Sequence, residues 1–140
     1  MDAIIQLIHV SKWHDRRAAL SDVTFEIEKG EFVLLMGASG AGKSTLLRML
    51  IAEEQPDEGQ IFVHGKNVTK LRPSEIPYLR RKVGAVFQDF RLLPKKSVFD
   101  NVALPLIVQG ASEKDIRRKV TEALRAVDVD HKNDQLPSSL

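Results

Sequence analysis

The sequence contains no cysteine. Disulfides, thiolate metal sites and cysteine redox chemistry are therefore excluded, and a reducing compartment suits the chain. It also lacks any apolar run near the length of a membrane span, which takes about 20 residues. Its start, Asp2 followed by the alternating Ile4–Val10, has neither the basic opening nor the cleavage region of a secretory signal. A role at a membrane is expected to need a partner that holds the chain there. Charge of one sign is scarce too: 21 basic against 19 acidic residues leave a net +2, too little to argue for nucleic acid. The basic clusters Arg80–Lys82, Lys95–Lys96 and Arg117–Lys119 read as solvated helix faces. The four histidines, at positions 9, 14, 64 and 131, have no ligand spacing and read as ordinary surface or edge residues. There is no internal repeat or low-complexity tract. What remains is 140 residues, 43% hydrophobic and 29% charged, the composition of an ordinary globular domain with a core.

The informative stretch is Gly37-Ala38-Ser39-Gly40-Ala41-Gly42-Lys43-Ser44-Thr45, in which Gly37 and Gly42 enclose four residues and precede Lys-Ser. That is the phosphate-binding P-loop pattern. The all-apolar Phe32–Met36 before it suits a strand buried on both faces, and Thr45–Leu50 after it suits a helix opening. A strand that turns sharply into a helix aims several backbone N–H groups at one spot, where the positive end of the helix dipole also lies. Glycines let the chain wrap closely around phosphate oxygens. Lys43 then carries positive charge toward the β- and γ-phosphates, and Ser44 offers a hydroxyl oxygen to Mg²⁺, which takes oxygen ligands and keeps several waters.

Elsewhere, Ile4–Val10 reads as a strand, Ser11–Arg17 as a polar turn, and Val23–Glu28 as a half-buried strand with Val23, Phe25 and Ile27 on one face. The P-loop helix is expected to end near Ala52, before the loop Pro56-Asp57-Glu58-Gly59. Gln60–Val63 is another strand, Ser74 a cap for a short helix through Arg81, and Val83–Phe87 a second buried strand. Ser97 or Asp100 begins a helix through Val108 that Pro105 should kink or break. Ser112 starts an amphipathic helix with Ile116, Val120, Leu124 and Val127 on one face. Strands alternating with helices around a P-loop imply an α/β fold with a mostly parallel sheet, and the early alternating strands an antiparallel β-subdomain at its edge.

The form Gly-x-Ser-Gly-x-Gly-Lys-Ser-Thr, with Gly30-Glu31-Phe32 before it and Pro56–Ile61 and Val86-Phe87-Gln88-Asp89 after it, resembles the nucleotide-binding domain of ABC ATPases. Within that family, Ile76–Gly84, Phe87–Pro94 and Val98–Ala103 are similar to the cell-division branch, FtsE. The resemblance implies that Gly37 to Thr45 cradle the triphosphate of ATP. It also makes Gln88 the residue that reaches Mg²⁺ and the attacking water and relays nucleotide state to a membrane partner. An upstream aromatic residue should stack on adenine; Trp13 is favoured over its neighbour His14 for its larger ring. Asp89, an acid after an apolar run, has the look of the Mg²⁺-ordering Asp of a Walker B strand, but Gln88 intervenes and the surrounding match is to the glutamine loop.

The same resemblance implies that residues 1–140 are the N-terminal part of one nucleotide-binding domain. The signature motif, Walker B strand, catalytic glutamate and switch histidine of the family are not in this sequence. Phosphate cradle, Lys43, Ser44 and Gln88 are present without a base, so this segment alone is expected to hydrolyse ATP poorly. The apolar strands are expected to make it marginal and sticky by itself. The function implied is the ATP-binding subunit of an FtsE–FtsX-like complex. Two such subunits would form a homodimer on the cytoplasmic face of the membrane, held by an FtsX-like permease and serving cell division. A lipoprotein-release or macrolide-export ATPase and a non-hydrolytic nucleotide-binding module remain alternatives.

Overall fold

A computed structural model describes residues 3–140; Asp2 lies outside them. The chain divides into two compact units, one running to Ala85 and one spanning Val86–Leu140.

The first unit is built on a sheet of order β2-β1-β3-β4 in which every pairing is antiparallel. Strand β1 (Ala3–His14) and β2 (Arg17–Glu28) form a long hairpin, paired from Ala3↔Glu28 to His14↔Arg17 with register shifts between Ala3 and Ile5, Leu7 and Val10, Val10 and Lys12, and Lys12 and Trp13. Only Asp15 and Arg16 turn the chain, both with positive φ (46° and 69°), as a two-residue turn that matches strand twist requires. The polar turn expected from Ser11 to Arg17 is therefore shorter, because backbone pairing carries β1 through Lys12, Trp13 and His14. On the other edge of β1 lies β3 (Glu58–Val63), with Leu7 opposite Ile61, followed by the short β4 (Lys66–Asn67).

Helix α1 (Lys43–Leu50) lays Leu46 and Met49, three residues apart, on Leu7, Val10, Ile61 and Val63 of the sheet, and Val68 and Leu79 close the core. The helix stops two residues before Ala52, which turns left-handed (φ 52°). Arg80 Nε, from α2 (Ile76–Arg80), donates to Ile51 O at 2.9 Å and helps satisfy the end of that turn. Ser74 does not cap α2. Glu75 is the cap residue, and its carboxylate accepts from Arg72 N at 2.9 Å instead.

Two sequence expectations are overturned here. Phe32–Met36 and Val83–Phe87 form no ladder; both run as irregular chain. Phe32 is 93% and Val86 95% exposed. A strand apolar on both faces needs a neighbour on each edge and a layer on each side, and the four paired strands leave these segments none among the described residues. The parallel part of the expected sheet is accordingly absent from the described residues.

The second unit packs α3 (Val98–Val108) on α4 (Glu113–Ala126) around Val98, Ala103, Val120 and Leu124, with Ile116 against them. Ser97 caps α3 by accepting from Asp100 N at 3.0 Å. Pro105 does not break α3, which runs on to Val108. Ser112 caps α4: its Oγ accepts from Asp115 N and donates to Asp115 Oδ2 at 2.7 Å. That bond, first, holds the Asp115 carboxyl below its usual range. Val127 is not on the buried face. The helix ends at Ala126, and Val127 is 66% exposed. Val98 N and Phe99 N, first-turn donors of α3, are accepted by Gln135 O and Asn133 O of the chain after α4.

Candidate nucleotide-binding site

The P-loop is an exposed arch that ends in the first turn of α1. Ala41 N donates to Ala38 O at 3.1 Å, which curls the loop, and Gly40 and Gly42 carry it through left-handed backbone (φ 79° and 85°). A side chain at Gly42 would put Cβ 2.1 Å from Ala19 O, so only glycine lets the loop pass under β2. No side chain caps α1, and its first backbone bond is Leu46 N to Gly42 O at 2.9 Å. The N–H groups of Lys43, Ser44 and Thr45 therefore have no acceptor within the helix. They stand at the positive end of its dipole, a ready site for an anion.

Lys43 Nζ folds back over the arch and donates to Gly37 O at 2.6 Å and Ala38 O at 2.8 Å. The ammonium thus lies at the mouth of the loop. Ser44 faces solvent, whereas Thr45 is buried on the core side. All nine residues read from the pattern, Gly37 to Thr45, are brought into this one arch and helix turn.

Trp13 and His14 end β1 beside α1, but they are used differently. Trp13 is 40% exposed, and its backbone N–H donates to Asp57 Oδ2 at 2.8 Å. His14 Nε2 lies 3.4 Å from Thr45 Oγ1 and 3.2 Å from Glu54 Oε1. The structure thus brings His14, not Trp13, against the P-loop helix. Lys12 Nζ bonds Asp57 Oδ1 at 3.1 Å. The Trp13 N–H, then Lys12, hold the Asp57 carboxyl below its usual range.

Gln88 belongs to the second unit, in an exposed turn over Gln88–Phe90. Asp89 sits in the same turn, not at a strand end, and lies 3.8 Å from Arg91 Nε. The Arg91 guanidinium lies 3.8 Å over the Phe87 ring. The Asn101 side chain braces the loop that follows: Oδ1 accepts from Leu93 N at 2.7 Å, and Nδ2 faces Leu93 O, Lys96 O and Ser97 O.

The ABC transporter family profile matches residues 20–140. This chain belongs to the ABC transporter family. Over 138 residues it is 46% identical to the cell division ATP-binding protein FtsE of Escherichia coli (strain K12), covering 98% of this chain and 62% of that protein. It is 41% identical over 137 residues to the methionine import ATP-binding protein MetN of Legionella pneumophila (strain Lens), covering 98% of this chain and 40% of that one. Among solved structures, the dimeric post-hydrolysis state of the ATP-binding cassette MJ0796 bound to ADP and Pi matches with a TM-score of 0.87. That match has 32% identity and covers 97% of this chain and 62% of that one. The chain thus spans about three fifths of the FtsE protein it matches. The ABC fold assignment stands on these likenesses, together with the antiparallel sheet and α1 described above.

The P-loop of this ABC chain was legible because its residues are contiguous. Glu54, Asp57 and Lys12 were missed because they lie outside the motif and meet its flank only in space. The expected loop Pro56-Asp57-Glu58-Gly59 is shorter in the structure, since β3 begins at Glu58, and its turn signal gave no sign of what the Asp57 carboxylate holds.

Proposed function

We propose that this chain is the N-terminal part of the ATP-binding subunit of an FtsE–FtsX-like ABC complex, coupling ATP binding and hydrolysis to a membrane permease in cell division. The observation that carries the proposal is the uncapped start of α1 under an arch of glycines, with Lys43 at its mouth. Backbone N–H groups of Gly40 and of Gly42 to Thr45 would hold phosphate oxygens, with Lys43 reaching the β- and γ-phosphates once its bonds to Gly37 O and Ala38 O are exchanged for anionic oxygens. Among the described residues no group of three or more His, Cys, Asp or Glu is placed to hold a metal ion. Ser44 Oγ would be a protein ligand to Mg²⁺, the remainder being phosphate oxygens and water; for Gln88 the role of reaching Mg²⁺ is carried by the ABC likeness alone. Mg²⁺ supplies neutralisation of charge on the transferring phosphate. The base belongs at the end of β1, where Trp13 and His14 stand.

The membrane-facing part of the reading is supported by the FtsE likeness. No helix among the described residues is long and apolar enough to cross a membrane. On the FtsE likeness, two ATP-binding subunits would sit as a homodimer on the cytoplasmic face, held there by the permease. The likeness to MetN, a methionine import ATP-binding protein, supports a second reading, an ATPase subunit of an importer. Mg-ATP binding to the full-length protein, followed with a fluorescent ATP analogue, tests the core proposal. Lys43→Ala should weaken it by roughly tenfold or more, and chelating Mg²⁺ should weaken the parent. Absence of binding, or binding indifferent to Lys43→Ala, would refute the assignment. The same assay run with phosphate release should show the 140-residue segment alone to be nearly inert.

A further inference from the structure

Strand β1 carries one residue more than either of its neighbours. From Leu7 to Val10 it takes three steps while β2 takes two, Phe25 to Val23. From Ile8 to Ser11 it again takes three while β3 takes two, Gln60 to Glu58. The extra residue common to both is His9, whose backbone is left-handed (φ 51°), a conformation costly for any residue with a Cβ. Side chains around it hold the bulge in place. His9 N donates to Thr24 Oγ1 at 2.9 Å, and His9 Nδ1 lies 2.7 Å from Asp22 Oδ1. Asp22 is also left-handed (φ 48°) and lies where β2 takes three steps, Val23 to Leu20, against two of β1. Its N–H donates to Oγ of the buried Ser11 at 3.0 Å. On the other edge Gly59 (φ 85°) leaves the bulge its room: a Cβ there would lie 2.2 Å from His9 O. The core does not require the extra residue. Leu7 and Val10 are both fully buried, and without His9 they would stand two apart, the period of the strand itself, with their pairs to β2 and β3 kept.

What a bulge adds is a bend and a sharper twist in the strand that carries it. Beyond this one lies the end of the hairpin that reaches the P-loop. Gly42, the residue before α1, sits so close under it that an added Cβ would be 2.1 Å from Ala19 O and 3.0 Å from Leu20 Cδ2. The start of β3 goes the same way, since Asp57 N donates to Ser11 O at 3.0 Å. Helix α1 packs on Leu7 before the bulge and on Val10 after it, so the bend sets the gap between the hairpin end and the first turn of the helix. We propose that the bulge at His9 aims the hairpin end onto Gly42, and that His9, Thr24 and Gly59 are positioning residues for triphosphate binding. They act through Ala19 on the turn whose backbone N–H groups hold the phosphates. The proposal rests on the reading of Gly37–Thr45 as a triphosphate site, and it gives the shape of that loop a cause outside the motif.

The test titrates the full-length protein calorimetrically with Mg-ATP and with inorganic tripolyphosphate, and follows urea unfolding in parallel. Deletion of His9 removes the bulge and keeps the strand pairs, so the variant should be at least as stable as the parent. It should nevertheless bind both ligands about tenfold more weakly, the effect of roughly one lost charge-assisted hydrogen bond. A purely structural role would instead lower stability and leave the affinity of the folded protein alone. Gly59→Ala, which drives a methyl into His9 O, should weaken both ligands similarly. Added to the His9 deletion it should cost nothing further, because both act on one bulge. Thr24→Val should weaken both ligands and Thr24→Ser, which keeps the hydroxyl, should restore them; this pair carries the comparison if the deletion variant does not fold. Parental affinity in the deletion variant, or in Thr24→Val where the deletion does not fold, would overturn the proposal alone. So would loss of Mg-ATP with tripolyphosphate untouched, or additive losses for the His9 deletion and Gly59→Ala. A parent protein that binds neither ligand would overturn the triphosphate reading itself, and this inference with it.

Discussion

Substitution of Gly42 by alanine measures how firmly the P-loop is held under the β-hairpin. Gly42 has φ +85°, and a Cβ there would lie 2.1 Å from Ala19 O, 3.0 Å from Ala19 C and 3.0 Å from Leu20 Cδ2. Ala19 is the residue skipped between the pairs Lys12↔Leu20 and Trp13↔Ala18. Its carbonyl is therefore part of a bulge fixed by strand pairing on both sides, and it has no flexible side chain with which to yield. Left-handed backbone costs an alanine about 1–2 kcal/mol, and forcing a methyl into packed backbone adds about 1–3 kcal/mol. Gly42→Ala should therefore destabilise the protein by about 2–5 kcal/mol. Gly40 is the internal control: its φ is +79° and nothing lies within 4 Å of an added Cβ. Gly40→Ala should lose only the backbone part, about 1–2 kcal/mol. Urea unfolding of both variants at equal m-value isolates the difference. Equal costs at the two sites would refute the placement of Ala19 against the loop.

Two further perturbations address the supports of the site. Asp57 is held below its usual range by the Trp13 N–H first and Lys12 second, so its stabilising effect is complete above the unfolded-state value near ~4 and fades as pH falls through the lower folded-state value. Asp57→Asn should be less stable than the parent near neutrality, with the gap closing below about pH 4; urea unfolding across that range checks it, and a gap that ignores pH would refute it. In the second unit, Asn101 Nδ2 has three carbonyls in reach at 2.9–3.2 Å but only two hydrogens, so with the Leu93 N bond it makes three bonds at most. Asn101→Ala should cost about 1–3 kcal/mol and speed hydrogen exchange at Leu93 N; unchanged protection there would refute the brace.

What was legible in the sequence was local. Ser97 and Ser112 stand immediately before their helices and bond the N–H three residues on, so both starts were readable from residue type and spacing. The face Ile116, Val120, Leu124 followed from helical period, and Val127 failed only because α4 stops one residue before it. Pro105 misled because its cost falls mainly on a missing N–H and a local clash, which α3 tolerates on an exposed turn (Leu104, Pro105 and Ile107 all face solvent). The link from His14 through Glu54 to Arg48 left no pattern to read. Its three members sit on a strand end, a loop and a helix, and each alone is an ordinary surface residue.

The apolar segments at Phe32–Met36 and Val83–Phe87 show what period-based reading does not contain. An uninterrupted apolar run states that a segment, if it becomes a strand, must be covered on both faces; it does not state that the covering chain is at hand. In this structure Leu34 remains 69% and Met36 80% exposed, and burying such surface is worth about 25 cal/mol per Å². The alternating strands did not need that condition. β1 and β2 pair across a two-residue turn, so their partner is guaranteed by the hairpin, and one covered face suffices. The difference between the expected mostly parallel sheet and the observed antiparallel one is therefore a difference in range. Hairpin neighbours are supplied by adjacent sequence, while a parallel neighbour has to arrive by a crossover. The P-loop keeps its shape nonetheless, because its bracing does not depend on the strand before it: Lys43 to Gly37 O and Ala38 O, Gly42 beneath Ala19, and α1 seated on β1 and β3.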